Sequence, residues 1–301
     1  MTRRLTGPVL ACAFALAASA PTRALGAQHW RDLTASRQVL KVDTLHVRLS
    51  FTAGKIALAA APQSLLYDVH LKYDADHYRP QQRYDAATHT LTIRSDSGSA
   101  GIFSVGAGRG GIHFGGGGGG GDDAGELSLA LARDVPLDLS LGLAACEARV
   151  DLGGLSVSAL RVQTAACDTR IAFSTPNPSR IPQLEIRATA AGVTMEKLGN
   201  ARADRLDVIT TVGGADLDLS GDWSGTMTVA IHTVMGGVTL RVPQDVGIQA
   251  RVTRVFGRLE ASFLSERNGA FYSANWSSAS RKLVVDADAT MGGVELVRLG
   301  Q

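Results

Sequence analysis

The chain has 301 residues, 45% of them apolar and 19% charged, a balance that excludes a disordered polar chain. Aromatic residues make up only 5%, so a core must be built chiefly from Val, Leu, Ile and Ala. The 30 basic and 28 acidic residues give +2, but Arg3, Arg4 and Arg23 lie in the first 27 residues, which hold no acid. Without them the count is 27 against 28, about −1, which argues against a nucleic-acid binder working through a basic patch.

Arg3 and Arg4 precede an apolar run from Val9 to Ala20, and small residues follow through Ala24-Leu25-Gly26-Ala27. This order predicts a secretory signal peptide over 1–27, cleaved after Ala27. The run is too short to span a bilayer, which takes about 20 apolar residues. Val9-Leu10-Ala11-Cys12 is a poor lipobox, because it leaves almost no apolar segment after Arg4. No later stretch reaches 18 uninterrupted apolar residues, so no transmembrane helix is expected in the mature chain. The expected location is periplasmic or extracellular.

Residues 28–104 read as a strand-rich N-terminal section. Leu45, Val47, Leu49 and Phe51 alternate with polar residues, the period-two pattern of a half-buried strand. Further alternation appears over Leu66–Tyr73 and Thr88–Arg94. Residues 105–126 are expected to be a loop or linker, since the run Gly115 to Gly121 has no side chains to bury and much backbone entropy to lose. It lacks the Lys-Ser/Thr ending of a phosphate-binding loop. Asp122 and Asp123 after it read as solubilising charge.

From 127 to 301 strand patterns repeat. Ala-Ala-Cys-Glu-Ala-Arg-Val starts at Ala144 and Ala-Ala-Cys-Asp-Thr-Arg-Ile at Ala165; Gly-Gly or a relative then recurs to the closing Met291-Gly-Gly-Val-Glu-Leu. Aligned on the Cys/Gly position, residues 146, 167, 192, 214, 237, 257 and 293 mark successive units. The last interval holds an excursion, Glu266 to Ser280, with Phe271, Tyr272 and Trp276. Units of about 20–25 residues with two short strands cannot enclose a core alone, but stacked coils can. The predicted fold class is therefore all-β, a single-stranded β-solenoid of short coils behind a strand-rich N-terminal section. Thr164, Thr189, Thr211, Thr233, Thr253 and Thr290 precede the turns, and in-register stacking would align them as a hydroxyl ladder.

Met-Gly-Gly-Val-Thr-Leu-Arg-Val-Pro-Gln-Asp-Val (235–246), Val-Phe-Gly-Arg-Leu-Glu (255–260) and the closing stretch 283–298 resemble toast-rack and LiaF-type cell-wall stress-response domains. Residues 42–94 are similar to the section that precedes the solenoid in toast-rack proteins. The motif also occurs in related adhesin domains. The resemblance implies a β-solenoid outside the cytoplasmic membrane, without catalytic residues, akin to membrane-anchored regulators of an envelope-stress kinase. This chain differs from those members in its expected signal peptide, its lack of transmembrane helices and its glycine-rich insertion.

Cys146 and Cys167 share one phase of adjacent repeats, 21 residues apart, and could either form a disulfide or stack unbonded in the core. Asp68, His70, Asp74, Asp76 and His77 are the most ligand-like cluster, but their spacing matches no standard metal site and a solvated face explains them. Phe271, Tyr272 and Trp276 read either as a partner-facing patch or as a cap over the solenoid end. No catalytic, cofactor-binding or metal residues are assigned, and no cofactor is expected. The reading is an exported, non-enzymatic binding or scaffolding module of the envelope, linked to cell-wall stress. Its expected partners are an envelope protein, a cell-wall glycan or a second copy of itself. The alternative is a secreted carbohydrate-active enzyme of the polysaccharide lyase or hydrolase kind, with Asp151, Asp216 and Asp218 as available carboxylates.

Overall fold

The computed structural model describes residues 29–39, 41–62, 64–97, 125–223, 225–254, 256 and 258–300. The expected signal peptide with Cys12, and the expected glycine-rich segment except Gly125 and Glu126, lie outside the described residues. Asp122 and Asp123 do too.

In chain order the strands are β1 (Trp30–Gln38), β2 (Leu45–Phe51), β3 (Gly54–Ala60), β4 (Leu65–Asp74), β5 (Tyr78–Asp85) and β6 (Thr90–Ser97). Then come β7 (Glu126–Leu131), β8 (Pro136–Ala144), β9 (Cys146–Asp151), β10 (Ser156–Ala165), β11 (Asp168–Ala172), β12 (Ile181–Thr189) and β13 (Ala191–Glu196). A 3₁₀ turn, Leu198–Ala201, leads to β14 (Ala203–Asp218), β15 (Thr226–Val242), β16 (Gly247–Arg254), β17 (Arg258–Glu260), β18 (Leu264–Arg267), β19 (Ala270–Ser273) and β20 (Lys282–Arg298).

The chain is an all-β solenoid. Each coil supplies one strand to each of two sheets, and parallel pairing joins coil to coil. The first sheet runs β1-β4-β7-β3-β9-β11-β13 and continues through the second halves of β14, β15 and β20 to β17. The second runs β5-β6-β2-β8-β10-β12, then through the first halves of β14, β15 and β20 to β16, β19 and β18. The long strands β14, β15 and β20 bend round one corner at their Gly-Gly pairs and belong to both sheets.

Alternation along each strand sends every second side chain inward. Parallel register then stacks like on like. Leu91, Val47, Leu139, Leu160, Leu184, Leu206, Val229, Val285 and Ala250 form one ladder through successive coils, each at most 1% exposed. Fully burying a Leu or Val stabilises by roughly 1.5–3 kcal/mol, so this ladder and its neighbours hold the column together.

Three features differ from the sequence reading. The coils do not stack in chain order. The β2/β3 coil lies between those of β6/β7 and β8/β9, and β20 lies between β15 and the β16/β17 coil. The Cys/Gly alignment also slips by one residue, because Cys167 and Ala191 point inward while Gly192 faces out. The true column is Gly54, Cys146, Cys167, Ala191, Gly213, Gly236 and Gly292. Finally, the threonines form no continuous ladder. Thr210 and Thr233 are in register with Oγ1 atoms 2.8 Å apart, but Thr164 faces Ala188 across the coils and bonds Thr169 instead. Thr211 sits on the outside.

The corners are turned in two ways. Ala145, Ala166 and Ala190 adopt left-handed φ of 46°, 49° and 51°, while Gly213 and Gly236 take φ of 115° and 137°. A Cβ on Gly236 would meet the Gly213 carbonyl oxygen at 1.6 Å, whereas one on Gly237 would find its nearest contact, the Gly293 oxygen, at 3.7 Å. The opposite corners are stapled by buried asparagines. Asn177 Nδ2 donates to the carbonyls of Val157 and Ala201, and its Oδ1 accepts the Val157 N–H. Asn200 bonds the Phe173 carbonyl and the Asp222 N–H in the same manner.

Gly236→Ala should therefore lower stability by roughly 2–3 kcal/mol and Gly237→Ala by less than about 0.5 kcal/mol. Denaturant midpoints of the two variants, measured beside the parent, check this; equal effects would contradict the close coil-to-coil approach at Gly236.

Candidate binding surface

Cys146 and Cys167 occupy adjacent coils with Cα atoms 4.6 Å apart, and the structure joins them as a disulfide. In-register parallel coils bring equivalent positions within disulfide reach. Phe271 packs against the end of the core, and β18 and β19 form an antiparallel hairpin along β16. Tyr272 and Trp276 meet edge to face with centroids 5.9 Å apart, and Lys282 Nζ lies 5.1 Å from the Trp276 ring. All three aromatic residues are half-buried over the last coil.

The Asp/His cluster divides into separate pairs. His70 Nε2 lies 3.2 Å from Asp68, His77 Nδ1 lies 2.7 Å from Asp74, and His29 Nδ1 lies 3.0 Å from Asp76. Among the described residues no three His, Cys, Asp or Glu side chains converge as a metal site would require. Asp74 is buried in the β4–β5 turn; the Asp76 N–H first, and then His77, hold its carboxyl below the usual range. The outward carboxylates are likewise engaged. Asp216 takes a two-pronged bond from Arg241 of the next coil, at 2.9 and 2.5 Å, and this bond raises the Arg241 pKa. Asp218 accepts the Ser220 N–H and hydroxyl, and Asp151 accepts the Gly153 N–H, both as local turns.

A basic surface emerges where the N-terminal coils meet. Arg83, Thr92, Arg48, Ser140 and Arg161 stand in one register across β5, β6, β2, β8 and β10. Arginine and hydroxyl residues alternate, so successive guanidiniums originate on strands about 9–10 Å apart. Arg94 stands two residues on from Thr92, and Thr90 and His46 two residues back in the adjoining row. His46, Arg48, Arg83, Asp85, Thr90, Thr92 and Arg94 line a shallow depression, with Ser140 and Arg161 continuing the row beyond it. Asp85 is held below the ordinary carboxylate range, first by the Ala87 N–H. Asp138 is shared by His46 at 3.1 Å and Arg161 at 3.2 Å. Arg48, Arg83 and Arg94 are exposed, and Arg48 and Arg94 make no ion pair with a described residue. The row was not legible in the sequence, because its members come from strands neighbouring in the order β5, β6, β2, β8, β10. The only signal was the polar phase of each strand.

The fold and these surfaces define a capped β-solenoid with a basic row on its second sheet. The chain belongs to the toast-rack family: residues 28–182 match the N-terminal domain of toast_rack, DUF2154. No curated protein matches it. Among solved structures it is similar to a protein of Clostridium sporogenes ATCC 15579, provisionally described as a cell adhesion protein, at 14% identity and TM-score 0.43, covering 90% of this chain and 100% of that one. It is also similar to provisionally described adhesins of Bacteroides fragilis NCTC 9343 (10% identity, TM-score 0.32) and Parabacteroides distasonis ATCC 8503 (9%, 0.33). Each likeness covers 89% of this chain and 97% of the other.

Two outcomes follow. Without reductant, Cys146 and Cys167 should resist alkylation in denaturant, and the double Cys→Ser variant should lose about 3 kcal/mol. Mass spectrometry and urea melts read both; free thiols would refute the bond. For Asp74, a folded pKa below the unfolded value of about 3.9 means that its contribution is complete above that pH and lost as pH falls through the folded pKa. Asp74→Asn should thus be more costly at pH 7 than at pH 3, as compared by urea melts.

Proposed function

We propose that the chain is an exported, non-enzymatic binding module of the cell envelope, linked to cell-wall stress, that holds an anionic wall polymer along its basic row. The observation carrying this reading is the register of Arg83, Arg48 and Arg161 with hydroxyls between them. Guanidinium forks suit phosphate and carboxylate oxygens, and a rigid sheet fixes their spacing in advance. Repeated anionic groups on an extended polymer would meet successive arginines without ordering a flexible loop. Membership of the toast-rack family supports the envelope setting. The disulfide between Cys146 and Cys167 supports export, since such bonds persist outside the reducing cytoplasm. The enzyme alternative needs carboxylates free to face a substrate, and Asp151, Asp216 and Asp218 are committed to turns and to Arg241.

The test is co-sedimentation of the exported protein with wall sacculi, before and after removal of their anionic polymers. Retention should depend on those polymers and weaken with salt. Arg48→Ala with Arg94→Ala should reduce affinity about tenfold or more while leaving the melting temperature near that of the parent. Sugar release from the sacculi would overturn the non-enzymatic reading, and polymer-independent retention would overturn the role of the row. N-terminal sequencing of the exported form should begin at Gln28.

A further inference from the structure

The bent corner between the two sheets carries an apolar ridge. Outside the core, the corner residue is Ala145, Ala166 and Ala190 on three successive coils, then Val212, Met235, Met291 and Phe256 on the next four. Backbone bonds link the coils there: the Ala145 N–H donates to the Ala165 carbonyl, Ala166 to Thr189, and Phe256 to Thr290. All are exposed, with Met235 at 43%, Met291 at 49% and Phe256 at 81%; Val234, beside Met235, is 47% exposed. Scattered apolar residues are ordinary on a protein surface, but an unbroken line of them is the mark of an interaction site. Six steps of about 4.8 Å make the ridge about 29 Å long.

The ridge tapers, from alanine at one end to phenylalanine at the other, with Val212 in the middle. We propose that it is the seam of a homodimer in which two copies pack ridge to ridge and antiparallel, with the two-fold axis at Val212. In that arrangement Ala145 faces Phe256 of the other copy, Ala166 faces Met291, and Ala190 faces Met235. Each small residue meets a large one, so the contact has even thickness throughout. Parallel packing would set Phe256 against Phe256 and leave the alanines apart. Charge agrees with the antiparallel choice. The two-fold keeps first sheet beside first sheet, so Glu147, two residues on from Ala145, comes opposite Arg258, two residues on from Phe256. Among the described residues each has only a local ion-pair partner, Arg149 and Glu260 respectively. A lipid surface fits less well, because the ridge is flanked by both signs, Glu147, Asp168, Asp288 and Glu295 beside Arg149, Arg170, Arg187 and Arg258, whereas insertion into anionic bilayers favours a flank of Lys and Arg.

A strip of this length and roughly 20 Å width buries about 600 Å² per copy, below the ~800 Å² of a standard interface, so the dimer should dissociate in the micromolar range. Sedimentation velocity of the whole exported protein should show a dimer at about 100 μM, and Met235→Glu with Met291→Glu should shift the midpoint at least tenfold towards monomer. The geometry is read by cysteine pairing under mild oxidation, which needs no folding-sensitive charge. Val212→Cys should cross-link to itself, Met291→Cys should not, and Ala190→Cys mixed with Met235→Cys should give the mixed dimer. A parent that stays monomeric at 100 μM would overturn the proposal. So would self-linking of Met291→Cys as efficient as that of Val212→Cys, or ridge-dependent binding of the monomer to phosphatidylglycerol vesicles.

Discussion

Parallel strands on neighbouring coils lie about 4.8 Å apart, and this fixed spacing governs every other choice in the molecule. A side chain on one coil has its counterpart directly above and below, so each position must tolerate stacking on something like itself. Aliphatic residues satisfy that inside, as the ladder through Leu139, Leu160, Leu184 and Leu206 shows. At the corners the same spacing brings the carbonyl of Gly213 so near the α-carbon of Gly236 that no side chain fits. Buried asparagines complete the scheme: Asn177 bonds the backbone of the coils on both sides of it, meeting the Val157 N–H and the Val157 and Ala201 carbonyls where the strands stop.

A stack of this kind has two open ends, and each exposes strand edges able to pair with another chain. The molecule closes both by similar means. A coil from near each end of the described chain is tucked one layer inside, β2/β3 at one end and β20 at the other, so it gains a neighbour on either side. Antiparallel strands then cover three of the four sheet ends, β1, β5 and the β18–β19 hairpin, while the short β17 ends the first sheet in parallel pairing. β5 carries Pro80 on the outer edge of its sheet, where a missing N–H removes a pairing site, and β18 presents Ser265, Glu266 and Arg267 to solvent. The column consequently depends on contacts between distant parts of the chain, unlike a solenoid that adds coils in order.

That dependence explains what could be read from the sequence. Inward and outward phases were legible at Leu45 to Phe51 and Leu137 to Leu143, because burial on one face leaves a period-two record. The recurring Gly-Gly pairs gave the coil length for the same reason. The order of stacking was not legible, since β20 carries the same motif wherever it is inserted. The one-residue slip at Cys167 arose because a cysteine and a glycine both suit a tight corner while facing opposite ways. Asn177 and Asn200 were missed because a buried asparagine leaves no periodic trace. The basic row failed for the deeper reason: Arg48, Arg83 and Arg161 are separated in sequence and become neighbours only once β6, β2 and β8 are placed side by side.

The two surfaces divide the molecule by position. Sheet faces carry charges that the regular register spaces evenly, whereas the bent corner carries an outward apolar side chain on each coil, beside an inward Cys146, Cys167 or Ala191 or beside Gly213, Gly236 or Gly292. The basic row lies on the second sheet near one end of the column, and the apolar ridge reaches its bulkiest residues near the other. An antiparallel two-fold through Val212 therefore sets the two basic rows on the same side of the pair. Their centres, at Arg48, are offset along the column by eight coil spacings, about 38 Å. A long anionic polymer could span both, and binding at the first row would raise its local concentration at the second. The gain would come from geometry alone, and it would be greatest for an extended polymer with regularly repeated charge. A short anionic fragment that fills one row would receive none of it.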